Sequence, residues 1–187
     1  RETLENLLRQ VDRVCAVVDN LLFLSRVDAG HGLPSPEEVN LDDVLLAAHE
    51  HFEAQARERG LALRLERADP VTVSGYKEML RLMIDNLLSN ALKFTEPGGE
   101  VTMTLAGAQD GFELVISDTG VGIPPKDRPR VFDRFYRVDR SRSRATGGVG
   151  LGLSIVREVA DAHGIGIQLQ SDPETGTRVA LAGRART

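Results

Sequence analysis

The chain has 187 residues, of which 41% are hydrophobic and 27% charged, and its formal net charge at pH 7 is −5. This balance is typical of a globular domain and excludes a disordered tail, and the acidic excess argues against a general nucleic-acid-binding protein. The only cysteine, Cys15, cannot form an internal disulfide, which suits a reducing compartment, and no apolar run approaches the roughly 20 residues that cross a bilayer.

Residues 1–30 are predicted to form one long helix with an apolar stripe. The stripe follows alternating spacings of three and four, a heptad pattern, and it is wide enough to need more than one neighbouring helix. Its members are Leu4, Leu7, Val11, Val14, Val18, Leu21 and Ser25, widened by Leu8, Cys15 and Leu22. Glycines and prolines then predict a linker at 31–38. The alternative is a helix folded back onto its own domain. The linker separates the helix from the domain and therefore favours a dimerising helix, and the chain is interpreted as a piece of a longer protein.

Residues 39–187 are predicted to form an α/β two-layer sandwich, with three helices on a mixed, mostly antiparallel sheet. Apolar spacing predicts helices at 44–60, 77–94 and 151–163, the first of them capped by Asn40 or Asp42. Alternating or extended segments predict strands at 36–41, 61–65, 71–73, 101–105, 112–116, 165–169 and 177–181. The sequence Gly-x4-Gly-Lys-Ser/Thr is absent, which excludes a P-loop.

The helix predicted at 77–94 places polar side chains on one face. Asn86, Asn90 and Lys93 are spaced four and three apart, so they lie together. An amide oxygen is a neutral ligand suited to Mg²⁺, and a lysine can neutralise a phosphate. Two solvated asparagines on an ordinary helix are the alternative, although asparagine is a poor residue for a helix interior.

Two glycine-containing segments are candidates for nucleotide contacts. Asp118 ends a predicted strand before Gly120 and Gly122, where a carboxylate could accept the adenine amino group, although a simple turn would have the same pattern. The other segment, 147–153, runs directly into the last predicted helix, and its backbone N–H groups would form an anion site. Thr177 could add a hydroxyl near the base.

The segment between these glycines is strongly basic. Positions 128–144 hold seven arginines and two aspartates, together with Phe132, Phe135 and Tyr136. Such a segment can hold a polyphosphate or a phosphorylated partner. The alternative is a solvated, disordered loop.

These four segments resemble the N, G1, F and G2 boxes of the sensor histidine kinase catalytic domain, which has the Bergerat (GHKL) ATPase fold. The resemblance covers residues 36–182 and is carried by Asn86-Leu87-Leu88-Ser89-Asn90-Ala91-Leu92-Lys93-Phe94 and Phe132-Asp133-Arg134-Phe135-Tyr136-Arg137. It implies that Asn90 binds Mg²⁺ and that Asn86, Lys93 and Arg137 serve phosphoryl transfer. The other implied ATP-binding residues are Phe94, Asp118, Gly120, Gly122, Ile123, Phe132, Phe135, Gly148, Gly150, Leu151, Gly152 and Thr177.

The resemblance also implies an ATP:protein-histidine phosphotransferase that acts with a response regulator receiver domain. Residues 1–30 resemble the second helix of a dimerisation and phosphotransfer hairpin, through which the intact protein would form a homodimer. The chain's histidines, His31, His49, His51 and His163, do not match the family's phosphoacceptor position, so this chain is not expected to phosphorylate itself. The resemblance implies a cytoplasmic location for this piece, in a parent protein that could be anchored in an inner membrane.

Two other functions remain open at this point. One is an ATP-driven conformational clamp, whose branches of the superfamily usually place an acidic residue at the position of Asn86. The other is a nucleotide-sensing module, either an anti-sigma kinase or a phosphatase-biased sensor. The N-terminal helix argues against the anti-sigma form, and the residues that decide phosphatase bias are not in this sequence.

Overall fold

The computed structural model describes residues 35–138 and 149–186. The helix predicted at 1–30, the first part of the predicted linker and Gly148 lie outside the described residues. The described residues belong to a compact unit that begins at Ser35. The helices among the described residues are α1 (Leu41–Glu58), α2 (Lys77–Phe94) and α3 (Gly152–Ala162), with a short 3-10 helix at Arg128–Arg130.

The described strands form one five-stranded sheet and one two-stranded sheet. The strands are β1 (Glu37–Asn40), β2 (Ala62–Ala68), β3 (Thr72–Gly75), β4 (Glu100–Ala108), β5 (Gly111–Asp118), β6 (Gly166–Asp172) and β7 (Gly176–Gly183). The larger sheet has the order β2-β4-β5-β7-β6, in which only β2 and β4 run parallel. The remaining strands, β1 and β3, pair antiparallel. The predicted sandwich of three helices on a mixed, mostly antiparallel sheet is therefore confirmed.

The core between the helices and the sheet is mostly aliphatic, in keeping with an aromatic content of 4% and the absence of tryptophan. Phe112, Leu114 and Ile116 alternate along β5, and each is at most 5% exposed. The central helix α2 buries apolar residues at helical spacing, among them Leu80, Ile84, Leu88 and Leu92. Each buried side chain of this size stabilises the fold by about 1.5–3 kcal/mol. This packing fixes the axis of α2 against the sheet and so determines where its polar face lies.

The start of α1 is held differently from the predicted side-chain cap. Asn40 occupies the N-cap position, but its side chain makes no capping hydrogen bond and its Nδ2 donates to Asp43 at 3.3 Å. Asp42 Oδ1 instead accepts the N–H of Val71 at 3.2 Å, and the Leu41 N–H donates to the Val71 carbonyl at 2.8 Å. Both contacts attach the start of α1 to the chain that leads into β3.

The chain between β5 and α3 is irregular in its described part, as predicted. The short 3-10 helix is the exception, and the Pro129 ring fits at its start. Across residues 35–138 and 149–186, no helix is long and apolar enough to span a bilayer.

Candidate functional site

The two predicted amide residues of α2 lie against the first residue of α3. An added Cβ at Gly152 would come within 2.9 Å of Asn86 Oδ1 and 3.4 Å of Asn90 Nδ2. Asn86 Nδ2 donates to the Leu82 carbonyl at 2.8 Å, one turn back along α2. Because its nitrogen is used in this way, the oxygen of Asn86 is directed towards the glycine. The spacing of four on α2 therefore brings both amides to one place on the molecule.

Asp118 is the last residue of β5, as predicted, and it faces Thr177 of β7. Its Oδ1 accepts the backbone N–H of Gly120 at 2.9 Å and that of Thr177 at 3.3 Å. Burial raises the pKa of the Asp118 carboxyl above its usual range, against the opposing effect of these two hydrogen bonds. The described residues provide no hydrogen-bond partner for Oδ2, which leaves that oxygen available to a ligand.

The end of α2 connects the amide residues to the turn after Asp118. The carbonyl of Phe94 accepts the Val121 N–H at 3.1 Å, and an added Cβ at Gly120 would lie 2.5 Å from the same carbonyl oxygen. Phe94 is four residues after Asn90, which is about 6 Å along a helix axis. The glycine at position 120 is thus required for this close approach, which attaches the turn after Asp118 to the end of the helix that carries Asn86 and Asn90.

A further glycine contact fixes the other side of Asp118. Gly176 has a φ of +90°, and an added Cβ there would overlap the Asp118 carbonyl oxygen. Gly122, with a φ of +60°, is packed in the same way against the carbonyl of Asp172 at the end of β6. Residues with a side chain are strained at such φ values, so both glycines are needed for conformation as well as for space.

Ser171 is a site residue that the sequence did not reveal. It is 7% exposed, and its Oγ accepts the Ile123 N–H at 2.8 Å and lies 2.8 Å from the Thr177 hydroxyl. Arg128 adds a second link, because its Nε donates to the Ile123 carbonyl at 3.1 Å. Ser171 lies in a strand far along the sequence, and a serine in an alternating pattern gives no signal of such a contact. The predicted hydroxyl of Thr177 is therefore engaged within the fold.

A shallow depression of about 580 Å³ opens beside Asp118. Among its lining residues are Asp118, Ser171 and Thr177, but neither Asn86 nor Asn90. A larger depression of about 680 Å³ lies at His163, and no predicted site residue lines it. The candidate site is therefore defined by the contacts among the predicted residues.

The segment 131–138, which we call the F segment, packs on α3 and on the chain before it. The Phe132 ring lies 4.7 Å from the guanidinium of Arg157, and Arg134 forms an ion pair of 2.9 Å with Glu158. The Phe135 N–H donates to the Gly150 carbonyl at 2.8 Å. The Phe135 side chain is 58% exposed. Among the described residues, neither Phe132 nor Phe135 forms a hydrogen bond or a ring contact with Asp118. The predicted roles of these two phenylalanines in nucleotide binding therefore stay predictions.

Two basic residues predicted at the site have different surroundings. Lys93 lies at the end of α2, with its Nζ 4.9 Å from the centre of the Phe94 ring, and Phe94 itself is 45% exposed. Arg137 is part-buried, and its Nη2 is shielded from solvent without a hydrogen-bond partner among the described residues. A buried guanidinium nitrogen is costly when unpaired, so this atom is suited to an anionic ligand.

The histidines of the described chain lie on α1 and at the end of α3. His51 is exposed and His49 part-exposed on α1. His163 is the C-cap residue of α3, as predicted. Within the described ranges, no group of three or more His, Cys, Asp or Glu side chains could hold a metal ion.

Comparison with known proteins places this geometry in a family. The family described as "Histidine kinase-, DNA gyrase B-, and HSP90-like ATPase" matches residues 75–184, which include α2, Asp118 and the start of α3. The sensor-like histidine kinase SenX3 of Mycobacterium tuberculosis is 35% identical over 182 residues, 97% of this chain and 44% of SenX3. The sensor histidine kinase CusS of Escherichia coli is 36% identical over 174 residues, 93% of this chain and 36% of CusS. The chain thus spans less than half the length of these curated relatives.

Solved structures give the same result. The mycobacterial sensor histidine kinase MprB is 31% identical and superposes with a TM-score of 0.68 over 81% of this chain and 98% of the MprB chain. Full-length ShkA in complex with AMPPNP is 27% identical, with a TM-score of 0.79 over 94% of this chain and 37% of ShkA. Residues 75–184 are therefore an ATP-binding catalytic domain of the type found in sensor histidine kinases. The chain belongs to the histidine kinase-, DNA gyrase B- and HSP90-like ATPase family.

Proposed function

We propose that this chain is the catalytic part of a sensor histidine kinase, which binds Mg-ATP and presents the γ-phosphate to a histidine outside this sequence. The observation that carries the proposal is the convergence of three elements. Asn86 and Asn90 of α2 face Gly152 of α3, and the end of α2 holds the turn after Asp118. A nucleotide lying along α2 would meet Asp118 at its base and Gly152 at its phosphates.

Asp118 would recognise the adenine. Its Oδ1 already accepts two backbone N–H groups, which fixes the carboxylate plane. Its Oδ2 would then accept one hydrogen of the exocyclic amino group, a donor that guanine lacks at this position. Gly120, Gly122 and Ile123 would lie along the base, because the turn that they form is held close to Phe94 and Ser171.

The amides fit a magnesium site of the kind that takes most of its ligands from elsewhere. The Asn86 oxygen is directed towards Gly152, and the Asn90 side chain has no hydrogen bond to a described residue. We assign Asn90 as the metal ligand and Asn86 as its support. Mg²⁺, when bound, offsets negative charge on the phosphates and keeps several waters, so one or two neutral oxygens from the protein suffice.

The phosphates would be held by backbone and by basic side chains. Gly150, Leu151 and Gly152 precede or begin α3, where free N–H groups and the helix dipole favour an anion. Gly148 belongs to the same proposed loop. Lys93 at the end of α2 and the unpaired Arg137 Nη2 would neutralise charge as the γ-phosphoryl group leaves. Phosphoryl transfer depends mainly on such positioning and charge neutralisation.

We further propose the functional context of the intact protein. Residues 1–30 would form part of the dimerisation and phosphotransfer hairpin, 31–38 a linker, and 39–187 the catalytic domain. The hairpin of the same or a partner subunit would supply the histidine nucleophile, and a response regulator receiver domain would accept the phosphoryl group. An amide at Asn86, where a carboxylate would be needed to activate water, favours transfer to histidine over the hydrolysis of an ATP-driven clamp.

Calorimetric titration with Mg-AMPPNP tests the nucleotide site. We expect Asp118→Asn and Asn90→Ala each to weaken binding by about tenfold or more, since each removes a charge-assisted or metal contact. The controls are Asp161→Asn, on the exposed side of α3, and Asn40→Ala, in β1. Unchanged affinity in Asp118→Asn would show that the adenine assignment is wrong, and indifference to EDTA and to Asn90→Ala would remove the metal role.

A transfer assay separates kinase from clamp or sensor. The full chain is mixed with a protein carrying an intact histidine hairpin and with ATP labelled at the γ-phosphate. We expect acid-labile label on the hairpin histidine. Release of inorganic phosphate without labelled histidine would favour a clamp, and nucleotide binding with neither product would favour a sensor.

A further inference from the structure

A buried carboxylate lies in the turn between the adenine side of the site and the F segment. Asp127 is only 7% exposed, and its Oδ1 accepts the phenol O–H of Tyr136 at 2.7 Å. Its Oδ2 is shielded from solvent and has no hydrogen-bond partner among the described residues. A polar oxygen that is shielded from solvent without a hydrogen-bond partner costs folding free energy.

Tyr136 holds the phosphate side of the site through its backbone. The preceding residue, Phe135, has a φ of +64° and donates its N–H to the Gly150 carbonyl at 2.8 Å. An added Cβ at Gly150 would lie 2.7 Å from the Tyr136 carbonyl oxygen. The backbone at 135–136 is therefore packed directly on the glycine that precedes α3. Tyr136 thus contacts Gly150, which lies two residues before Gly152, the glycine that faces the amides of α2.

Asp127 is fixed to the adenine side. Its N–H donates to the Pro124 carbonyl at 2.9 Å, and its own carbonyl accepts the Arg130 N–H at 2.9 Å. Pro124 follows Ile123, which is held by the Ser171 hydroxyl. The hydrogen bond between Asp127 and Tyr136 thus adds a side-chain link between the turn after Asp118 and the F segment, beside the backbone hydrogen bonds that lead from Asp127 through Arg130 and Asp133 to Tyr136.

We propose that Asp127 and Tyr136 are a positioning pair that sets the glycine segment 150–152 relative to the turn after Asp118, and so determines affinity for the phosphates of the nucleotide. The proposal rests on the proposed nucleotide site. Neither residue needs to touch the ligand. The pair acts on the position of the backbone N–H groups before α3, while the adenine contacts are held independently by Gly120, Thr177 and Ser171.

Arg130 contacts the Tyr136 ring separately from the hydrogen bond between Tyr136 and Asp127. Its guanidinium carbon lies 4.5 Å from the centre of the Tyr136 ring, and its Nε is 3.4 Å from Asp133 Oδ2. This stacking would keep the ring in place when the phenol O–H is removed. A Tyr136→Phe substitution should therefore retain the local packing and remove only the hydrogen bond to Asp127.

The test compares a ligand that reaches the glycine segment with one that does not. Binding of Mg-AMPPNP and of AMP is measured for the full chain and for Tyr136→Phe, Asp127→Ala and Asp127→Asn. We expect Tyr136→Phe and Asp127→Ala to weaken the binding of Mg-AMPPNP by about tenfold, a size that the loss of one hydrogen bond can produce, and to leave the binding of AMP unchanged. Asp127→Asn keeps an oxygen acceptor and should retain most of the affinity. The matched control is Tyr76→Phe, the only other tyrosine in the chain.

Each outcome has a definite meaning. Equal weakening of both ligands, or no weakening of either, would overturn the positioning role while leaving the nucleotide site intact. Failure of the unmutated chain to bind Mg-AMPPNP would instead overturn the proposed function, and this inference with it.

Spectroscopy provides a second readout without altering the pair. In the Tyr76→Phe chain, Tyr136 is the only tyrosine, so tyrosinate absorbance reports on it alone. The hydrogen bond to Asp127 raises the pKa of Tyr136 above its ordinary value of 10.0. We expect ionisation to move to higher pH, and to move again when Mg-AMPPNP binds. A Tyr136 pKa at the ordinary value, or one that does not change when the ligand binds, would contradict the proposal even if the Tyr136→Phe variant failed to fold.

Discussion

Asp118 and His163 are both partly buried ionisable residues, and burial shifts their pKa values in opposite directions. For Asp118 the pKa is raised, because burial disfavours the charged form more than its two hydrogen bonds favour it. For His163 the pKa is lowered, because burial again disfavours the charged form, here the protonated one. Each shift leads to a separate prediction with a definite sign.

The proposed role of Asp118 opposes its contribution to stability. A raised carboxyl pKa means that the folded protein prefers the protonated form, so the ionised group destabilises the fold at neutral pH. We expect Asp118→Asn to unfold at the same or a higher temperature than the unmutated chain, yet to bind Mg-AMPPNP about tenfold or more weakly. Thermal unfolding followed by circular dichroism, together with calorimetric titration, checks both parts. A variant that loses stability and affinity together would indicate a structural aspartate.

The same carboxylate should make nucleotide binding sensitive to acid. Acceptance of the adenine amino group requires the ionised form, so affinity should fall as pH drops through the raised pKa, above the ordinary aspartate value of 3.8. Asp118→Asn should bind weakly with no such decline. If the affinity of the variant declined with pH in the same way, the decline would have to arise from another ionisable group.

His163 joins the end of α3 to the beginning of α2. Its Nδ1 lies 2.7 Å from the Val159 carbonyl and must donate there, so its Nε2 accepts the Tyr76 N–H at 3.0 Å. Tyr76 is the N-cap residue of α2 and has no side-chain cap of its own. Both hydrogen bonds together require the neutral imidazole, because a protonated ring has no acceptor nitrogen.

The free energy of unfolding should therefore fall as the pH is lowered and His163 becomes protonated. With its folded pKa below the ordinary 6.5, this residue's contribution is present above pH 6.5 and is lost as pH falls through the lower folded value. Since one proton is involved, the slope from this residue cannot exceed about 1.4 kcal/mol per pH unit. Denaturant unfolding from pH 8 to pH 5 should show this component in the unmutated chain and in His51→Gln, which lies on exposed helix surface. His163→Gln should lack it, and an unchanged pH profile in that variant would refute the assignment.

At the residue scale, the sequence predicted the groups that form short motifs and missed the groups that meet only in the fold. Local spacing predicts Asn86, Asn90 and Asp118 as site residues, because helical periodicity and a strand end decide their positions. Ser171 contacts Ile123 across 48 positions, and His163 contacts Tyr76 across 87. Spacing carries no information about such pairs. The partnership of Asp127 with Tyr136 was missed for a different reason, since a turn of mixed polarity has no periodicity to read.

At the scale of elements, the sequence predicts each α-helix and strand of the described chain, but neither the 3-10 helix at Arg128–Arg130 nor every strand pairing. The hairpin of β4 and β5 follows from its short turn, and β6 with β7 from their proximity in sequence. The parallel pairing of β2 with β4 and the separate pair of β1 with β3 depend on chain crossings made by α1 and α2. Those crossings are set by packing of the whole core, so local patterns could not determine them.

Glycine positions at the ends of strands give a prediction at this scale. Gly176 begins β7, and a Cβ there would overlap the Asp118 carbonyl oxygen, whereas Gly98, also at positive φ, has open space around it. We expect Gly98→Ala to cost about 1 kcal/mol from conformation alone, and Gly176→Ala about 2 kcal/mol more, because backbone must move. Denaturant unfolding of both variants measures the difference. Equal costs would mean that the junction of β5 and β7 is not tightly packed.

At the scale of the whole molecule, the described unit has its own core and contains the described residues of the proposed nucleotide site. It begins at Ser35, just before β1, whose pairing with β3 also anchors the start of α1. A domain with its own core can fold and bind without the segment that precedes it. The boundary that we propose from the sequence, at residue 39, would cut into β1, so the better place for a truncation is before Ser35.

A polypeptide of residues 35–187 should accordingly unfold in one cooperative step and bind Mg-AMPPNP with the affinity of the full chain. Ligand at one hundred times its Kd should add about 2.7 kcal/mol to the free energy of unfolding, which corresponds to a rise in Tm of roughly 5–10 °C for a domain of this size. Calorimetry on the truncated and full chains measures both quantities, and Asp118→Asn in the truncated chain should show little rise at the same ligand concentration. If the truncated polypeptide folds but binds much more weakly than the full chain, residues 1–34 contribute to the nucleotide site, and our division of the chain into hairpin helix, linker and catalytic domain is wrong.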